Sequence, residues 1–358
     1  MKIQNIYIDK YKVFNDFDID FRNNKGNIQN LIVLAGINGT GKTTLLNEVI
    51  KGNTELSTDH GFEDYSKVFG EITINTNGIN ETHQLPALTK NLATVVNRKE
   101  YISNIVYFSS GNDISNIFNV QNLIIRFVDD LIYTKNYRSF DAYNEVKKKL
   151  DELFKEFNLQ IQFSNLNESK FVFFSNLQGE KFPIFKLSGG EQQLISKLFS
   201  LYIGEYKNQV ILIDEPEESL HPSWQHRIAP LYQKFADENN CQVILATHSP
   251  QIISSVSKDC LRILTKEDEK IKVISDFDGS YGWTVEHTLL GIMGVKNIRT
   301  PEIEHQLDLL NKMIHDNKHD TDEFHIKFSE MENILGTADN DLILMRIEIA
   351  RKNKNVKI

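Results

Sequence analysis

Residues 36–43 read GINGTGKT, a match to G-x-x-x-x-G-K-[ST] set between an apolar run, LIVLAG, and a helical pattern, KTTLLNEVI. Gly36, Gly39 and Gly41 let the backbone curl so that its N–H groups face an anion. The positive end of the helix that follows points at the same place. With Asn38 and Thr40 completing the loop, the segment predicts a cradle for a nucleotide's phosphates. Lys42 then reaches the β- and γ-phosphates, Thr43 offers its hydroxyl to Mg²⁺, and Thr44 stands near the α-phosphate. A second apolar run, QVILIDEP at 209–216, carries Asp214 to a strand end, where it can hold Mg²⁺ directly or through water. Glu215, the next residue, points elsewhere and is the candidate general base for an attacking water. ATHSP at 246–250 ends a third apolar run and sets His248 beside the γ-phosphate.

A fourth segment, LSGGEQQ at 187–193, places two poor helix formers where a helix should start. Ser188 and Glu191 have capping-box spacing, which accounts for a helix start and leaves the glycines incidental. The same geometry also exposes unpaired N–H groups and the positive dipole end with no side chain in the way, which suits a γ-phosphate. The loop at 36–43 already holds one side of a nucleotide. On this second reading Ser188, Gly189 and Gly190, with Glu191, close on the nucleotide of a second subunit.

The elements that must position these residues follow from patterning. IQNIYI, DFDIDF and NLIVLAG read as strands, as do EITINT at 71–76 and NIVYFSS at 104–110. ETHQLPALTKNLATVVNRKE is polar and reads as a loop or short helices. Residues 112–186 read as an inserted lid: an amphipathic helix marked by Phe140, Tyr143, Val146, Leu150, Leu153 and Phe157, then a hairpin from QIQFS and KFVFFS. After it come a helix at 194–205, a strand, a helix and a strand, the alternation of a buried parallel sheet. RILTKEDEKIKVIS reads as a further hairpin. From Pro301 the spacing of Ile303, Leu307, Leu310 and Ile314 predicts a helical region ending in a frayed basic segment, RKNKNVKI. The fold class expected is α/β: a largely parallel sheet flanked by helices, an antiparallel subregion, the lid, and a C-terminal helical region. The domains expected are 1–300 and 301–358.

Bulk properties narrow the classes. A chain of 358 residues with net charge −9 is long enough for about two domains and is not, as a whole, built to attract nucleic acid. Cys241 and Cys260, without C-x-x-C spacing, argue for a reducing compartment and against zinc. The apolar runs fall far short of a membrane span of about 20 residues. A cytoplasmic protein without membrane partners is expected. Asp276-Phe277-Asp278 reads as a hairpin end rather than a nuclease motif. His315 and His319 read as a solvated helix face rather than a metal site, and Trp224 and Trp283 as core or interface residues.

GINGTGKT, LSGGEQQ, ILIDEP and ATHSP, in that order, resemble the ATP-binding-cassette (ABC) class of P-loop ATPases over roughly residues 1–300. The resemblance implies ATP and Mg²⁺, and a head-to-tail dimer with two ATP molecules between the phosphate loop of one subunit and the signature segment of the other. Ser219, Leu220, His221 and Pro222, with ATHSPQII, resemble the RecF, OLD and SMC-like branch. KYKVFNDFDIDF resembles that branch's opening strands, with Lys12 where Arg is commoner. The glutamine-loop residue is expected near Ser110. YGWTVEHTLLGIMGV and the short helical tail resemble compact bacterial anti-phage ATPases of the Septu PtuA type, which implies a separate effector such as an HNH nuclease. A RecF-like DNA repair or maintenance ATPase binding DNA across the dimer is the alternative, and nucleic acid stays open as a partner. A nucleotide-clamped scaffold with slow turnover also stays open. A transporter cassette does not fit the segment after DEP, and the insertion is too short for an SMC or Rad50 coiled-coil arm.

Overall fold

Every residue of three strands is buried: Leu31–Gly36 (β3), Val210–Asp214 (β10) and Gln242–Ala246 (β11). Strands apolar on both faces need cover on both faces, and these form the centre of a parallel sheet. The computed structural model describes residues 1–52, 69–85, 104–109, 117–204 and 206–355. In it β3, β11 and β10 are flanked by Ile105–Phe108 (β6) on one side and by Leu261–Glu267 (β12) and Lys270–Ile274 (β13) on the other. The order is β13-β12-β3-β11-β10-β6, with only β13 antiparallel. Leu34 pairs with Ala246 and Ala246 with Asp214, so β10 and β11 end level while β3 runs two residues further, to Gly36. Their carboxyl ends are where a ligand site forms in an open α/β sheet.

A second sheet, wholly antiparallel, has the order β2-β1-β4-β5, from Phe14–Asp20 (β2), Lys2–Tyr11 (β1), Phe69–Thr76 (β4) and Ile79–Leu85 (β5). Its inner face packs on β3, β10 and β11 and on a short helix, Thr44–Lys51 (α1), in one apolar cluster. Buried Gln242 joins the sheets: its amide donates to Ile3 O at 2.9 Å and Gln29 O at 3.2 Å, and its carbonyl accepts from Ile3 N at 2.7 Å. The strand β5 corrects the sequence expectation, which gave residues 81–85 to a loop. The overlooked signal was Asn77-Gly78, at φ 52° and 88°, the two-residue turn that fits hairpin twist. The rest of that polar stretch, and Ser110, lie outside the described residues.

The inserted region builds its own core. Ile117–Asp129 (α2) runs into a wider turn at Asp130–Thr134. Ser139–Glu156 (α3) and a three-stranded sheet of Ile161–Leu166 (β7), Val172–Asn176 (β8) and Lys181–Pro183 (β9) follow. The expected hairpin thus gains a third strand, because Gly179 at φ 82° reverses the chain again. Leu187, Ile195 and Phe199 complete this core. The last two belong to Gly189–Ile203 (α4), the signature helix, which starts five residues earlier than the apolar pattern suggested. Pro222–Asn239 (α5), Pro250–Ile253 (α6) and Val285–Gly291 (α7) complete the helices of this unit.

The chain divides into two compact units, Met1–Gly294 and Val295–Ile358. The second holds Pro301–His315 (α8), Asp322–Leu335 (α9) and Asn340–Asn355 (α10) around Leu307, Leu310, Ile314, Phe324, Met331, Leu342 and Met345. Two expectations fail here. His315 and His319 do not share a helix face: α8 ends at His315, which is exposed, whereas His319 is 6% exposed with Nε2 3.1 Å from Asn353 Oδ1. The basic end is not frayed through its helical part. Lys352 Nζ donates to Ile314 O at 2.5 Å and His315 O at 3.2 Å, capping the last carbonyls of α8 with a cation.

Candidate active site

The phosphate loop follows β3. Gly39 and Gly41 adopt φ 82° and 87°, and Gly36 adopts φ 146° with no room for a side chain. A Cβ at Gly36 would sit 2.3 Å from Leu264 O, and one at Gly41 would sit 2.7 Å from the Phe14 and Val13 side chains. Asn38 and Gly39 form the exposed tip, and the buried Thr40 hydroxyl donates to Ile37 O at 2.9 Å. Thr43 and Thr44 open α1, whose hydrogen bonds step wide, as in Gly52 N to Asn47 O at 2.9 Å. Lys12 Nζ bonds Glu48 of this helix at 2.6 Å, and the Tyr11 hydroxyl donates to the same carboxylate. The β1–β2 turn is thereby anchored beside the loop.

Lys42 is 4% exposed and folds back over the loop, donating to Gly36 O at 2.8 Å and Ile37 O at 3.2 Å. Burial lowers its ammonium to about 8 against the opposing pull of Glu215, Asp214 and Glu217. A buried cation whose partners are carbonyls and a neutral ring gains much from an anionic phosphate. Asp214 ends β10 nearby. Both its carboxylate oxygens are buried without a hydrogen-bond partner among the described residues. Burial raises its pKa, while the adjacent Thr43 hydroxyl, Lys42 and the Tyr107 phenol favour the ionised form. An orphaned carboxylate facing a threonine hydroxyl at the mouth of a phosphate loop is the donor set Mg²⁺ takes beside substrate phosphates. Thr43 and Asp214 fit that ion.

Glu215 lies in the left-handed region at φ 48°, a strained conformation of the kind that gathers at functional sites. Its N–H donates to Ala246 O at 2.9 Å, which turns its side chain away from that of Asp214 and toward β11. There Glu215 Oε1 lies 3.1 Å from His248 Nε2. Burial, then the Glu217 and Asp214 charges, push Glu215 up to about 8 against Lys42. His248 is held below its ordinary value by burial and by Lys42, and is neutral near pH 7. Its Nδ1 is 3.4 Å from Lys42 Nζ, which can only donate. The ring proton therefore belongs on Nε2, facing Glu215.

Ser188 and Glu191 form both halves of the capping box: Glu191 N to Ser188 Oγ at 3.3 Å and Ser188 N to Glu191 Oε2 at 2.8 Å. The two glycines differ. A Cβ on Gly190 would stand 3.2 Å from the Trp224 ring and 3.5 Å from Ser219 O, whereas one on Gly189 would meet nothing within 4 Å. Packing within the chain accounts for Gly190 and not for Gly189. Trp224 is thus a half-buried support for the signature turn.

Loop 36–44, Asp214, Glu215 and His248 come together at one sheet edge, and the 188–191 segment forms a separate helix start. Three further residues join the site. Tyr107 faces Asp214 from β6. Lys197 of α4, lowered by burial, donates to Glu215 O at 3.3 Å and Glu218 O at 3.1 Å. Glu217 holds the end of β11. Periodicity gave no sign of Tyr107 or Lys197, since both sit inside apolar runs. For Glu217 the acid-rich stretch DEPEE was the only hint.

The AAA_21 family model, described as an AAA domain with a suggested link to AbiEii toxins of Type IV TA systems, matches residues 90–254. The Septu protein PtuA of Bacillus thuringiensis is 31% identical over 29% of this chain and 28% of its own length. The PtuA of Bacillus mycoides is 24% identical over 80% of this chain and 44% of its own. The chain therefore spans less than half the length of these curated relatives. Among solved structures, an SMC head bound to the C-terminal winged-helix domain of ScpA superposes with a TM-score of 0.51 at 14% identity, covering 76% of this chain and 97% of that one. That likeness concerns the fold alone. No described helix is long and apolar enough to cross a membrane.

Proposed function

We propose that this chain, an ABC-type P-loop ATPase by fold and motif order, hydrolyses ATP to ADP and phosphate within a head-to-tail dimer that regulates a separate effector, a nuclease, in anti-phage defence. The observation that carries the chemistry is the 3.1 Å contact of Glu215 with His248 beside buried Lys42 and the unpartnered Asp214. Lys42 exchanges the carbonyls of Gly36 and Ile37 for phosphate oxygens, supported by the backbone of Gly39, Thr40 and Gly41. Thr43 and Asp214 would hold Mg²⁺, which would supply positive charge for the phosphate oxygens. Glu215 orients the attacking water and takes its proton, and His248, donating from Nε2, fixes the carboxylate that does so. Water oxygen bonds to the γ-phosphorus, the bond to the β-γ bridging oxygen breaks, and ADP keeps the electron pair.

The dimer rests on Gly189. A glycine with open space where a Cβ would stand, at an exposed capped helix start, suits an anion brought by another molecule. The effector rests on the likeness to the PtuA relatives.

Removing the base without altering shape tests both parts. Glu215→Gln should bind ATP, lose about 10²-fold or more in kcat, and accumulate as a dimer with ATP and Mg²⁺. Native mass spectrometry of this variant, expressed with its genomic neighbours, should show that dimer carrying a second protein with nuclease activity. Normal turnover by Glu215→Gln overturns the base assignment. A bare dimer that binds DNA moves the reading to DNA maintenance.

A further inference from the structure

The phosphate loop, Asp214, Glu215 and His248 leave one half-buried acid of this edge without a role. Glu217 follows Pro216 on the turn after β10, yet its side chain reaches across to the end of β11. Its Oε1 accepts from the Thr247 hydroxyl at 2.5 Å and from the His248 N–H at 2.7 Å. The Thr247 hydroxyl in turn accepts from Ser249 N at 2.9 Å, and Thr247 N donates to Leu34 O at 3.0 Å. Ser249 Oγ donates to Gln225 Oε1 of α5 at 2.7 Å. One carboxylate oxygen thus fixes two successive residues where β11 ends, and ties them to the turn that carries Glu215. Glu217 Oε2 is buried without a hydrogen-bond partner among the described residues.

We infer that Glu217 is a positioning residue for ATP hydrolysis, holding the His248 backbone at the register that puts its ring 3.1 Å from Glu215. The inference rests on the catalytic reading above and adds a residue to it. Parallel pairing ends at Asp214 and Ala246, and Glu215 N donates to Ala246 O just past that row. The Glu217 bridge carries the tie one step further, to Thr247 and His248. Its Oε1 bonds go to the Thr247 hydroxyl and the His248 backbone rather than to the ring, and its charge stands beside Glu215, so Glu217 acts through these residues rather than on substrate.

The test is steady-state ATPase kinetics with Glu217→Ala, Glu217→Gln, His248→Ala and the double variant Glu217→Ala/His248→Ala. Glu217→Ala should lower kcat by about 10²-fold, the scale of a misplacement near 1 Å, with KM for ATP changed less than about twofold. Gln keeps an acceptor oxygen for Thr247 and His248, so Glu217→Gln should recover kcat to within about fivefold of the unmodified protein. The double variant should be no more than about threefold slower than His248→Ala, because residues acting as one unit are not additive. Thr247→Val, which keeps shape and withdraws one of the two donors, should give a smaller kcat loss at unchanged KM and serves if Glu217→Ala does not fold. An unchanged kcat in Glu217→Ala, no recovery in Glu217→Gln, or multiplicative losses in the double variant would each overturn the inference. Should His248→Ala and Glu215→Gln both turn over normally, the catalytic reading itself fails, an outcome distinct from these.

Discussion

Glycines at Gly36 and Gly189 are alike in sequence and opposite in cause. At Gly36 the chain itself forbids a side chain, through φ 146° and the Leu264 carbonyl 2.3 Å from any Cβ. Backbone cannot step aside as a side-chain tip can, so Gly36→Ala should lower stability by about 1–3 kcal/mol, checked by urea unfolding. At Gly189 the surroundings are open and the φ is ordinary. Gly189→Ala should therefore unfold within about 0.5 kcal/mol of the unmodified protein, as expected for a surface change. In the Glu215→Gln background the same substitution should abolish the ATP-dependent dimer seen by light scattering. A dimer that forms normally would remove the argument for Gly189 as a contact to a second subunit's nucleotide.

Helix ends and strand ends do most of the positioning. Three parallel strands deliver the loop, Asp214 and His248 to one edge, while α4 presents a capped N-terminus and anchors Lys197 to the Glu215 carbonyl. In the C-terminal unit Arg299 bonds Asp339 and Asp341 at 2.7 Å each, tying the residues before α8 to those opening α10. Partial burial pushes Asp339 upward. Its bonds from Arg299 and from the Leu342 and Asp341 amides outweigh this and hold it below the usual carboxylate range. A carboxylate with a lowered folded pKa contributes stability that is complete above its unfolded value, near 4, and lost as pH falls through the folded one. The urea midpoint followed by the methyl signals of Met331 and Met345 should therefore drop as pH falls below about 4. Arg299→Gln should flatten that drop and lower the midpoint at neutral pH.

At the level of the molecule, every residue assigned to ATP lies in the unit Met1–Gly294, and the three helices after it have an apolar core of their own. A fragment ending at Gly294 should bind a fluorescent ATP analogue with a Kd within about threefold of the full chain. A larger loss would mean that the C-terminal helices stabilise the nucleotide site. If those helices instead serve the effector, the fragment should hydrolyse ATP yet fail to co-purify with the second protein.

The sequence alone determined the parts of this protein that rest on local chemistry. A phosphate loop needs glycines at set spacings before a lysine and a threonine. A buried parallel strand needs an unbroken apolar run, and a capping box needs a hydroxyl three residues before an acid. Each leaves its mark within about ten residues, so the loop, Asp214, Glu215, His248 and the signature segment were legible, along with the α/β class. Tertiary structure alone decided what depends on neighbours far along the chain. Glu217 reads as one acid among several until β10 and β11 pair and bring Thr247 and His248 against it. His319 reads as solvated until α8 stops at His315 and α10 supplies Asn353. Gly189 and Gly190 are the same letter until Trp224 packs under one and leaves the other bare. Local patterns fix backbone shape, whereas a side chain's role follows from which distant groups share its burial and its hydrogen bonds.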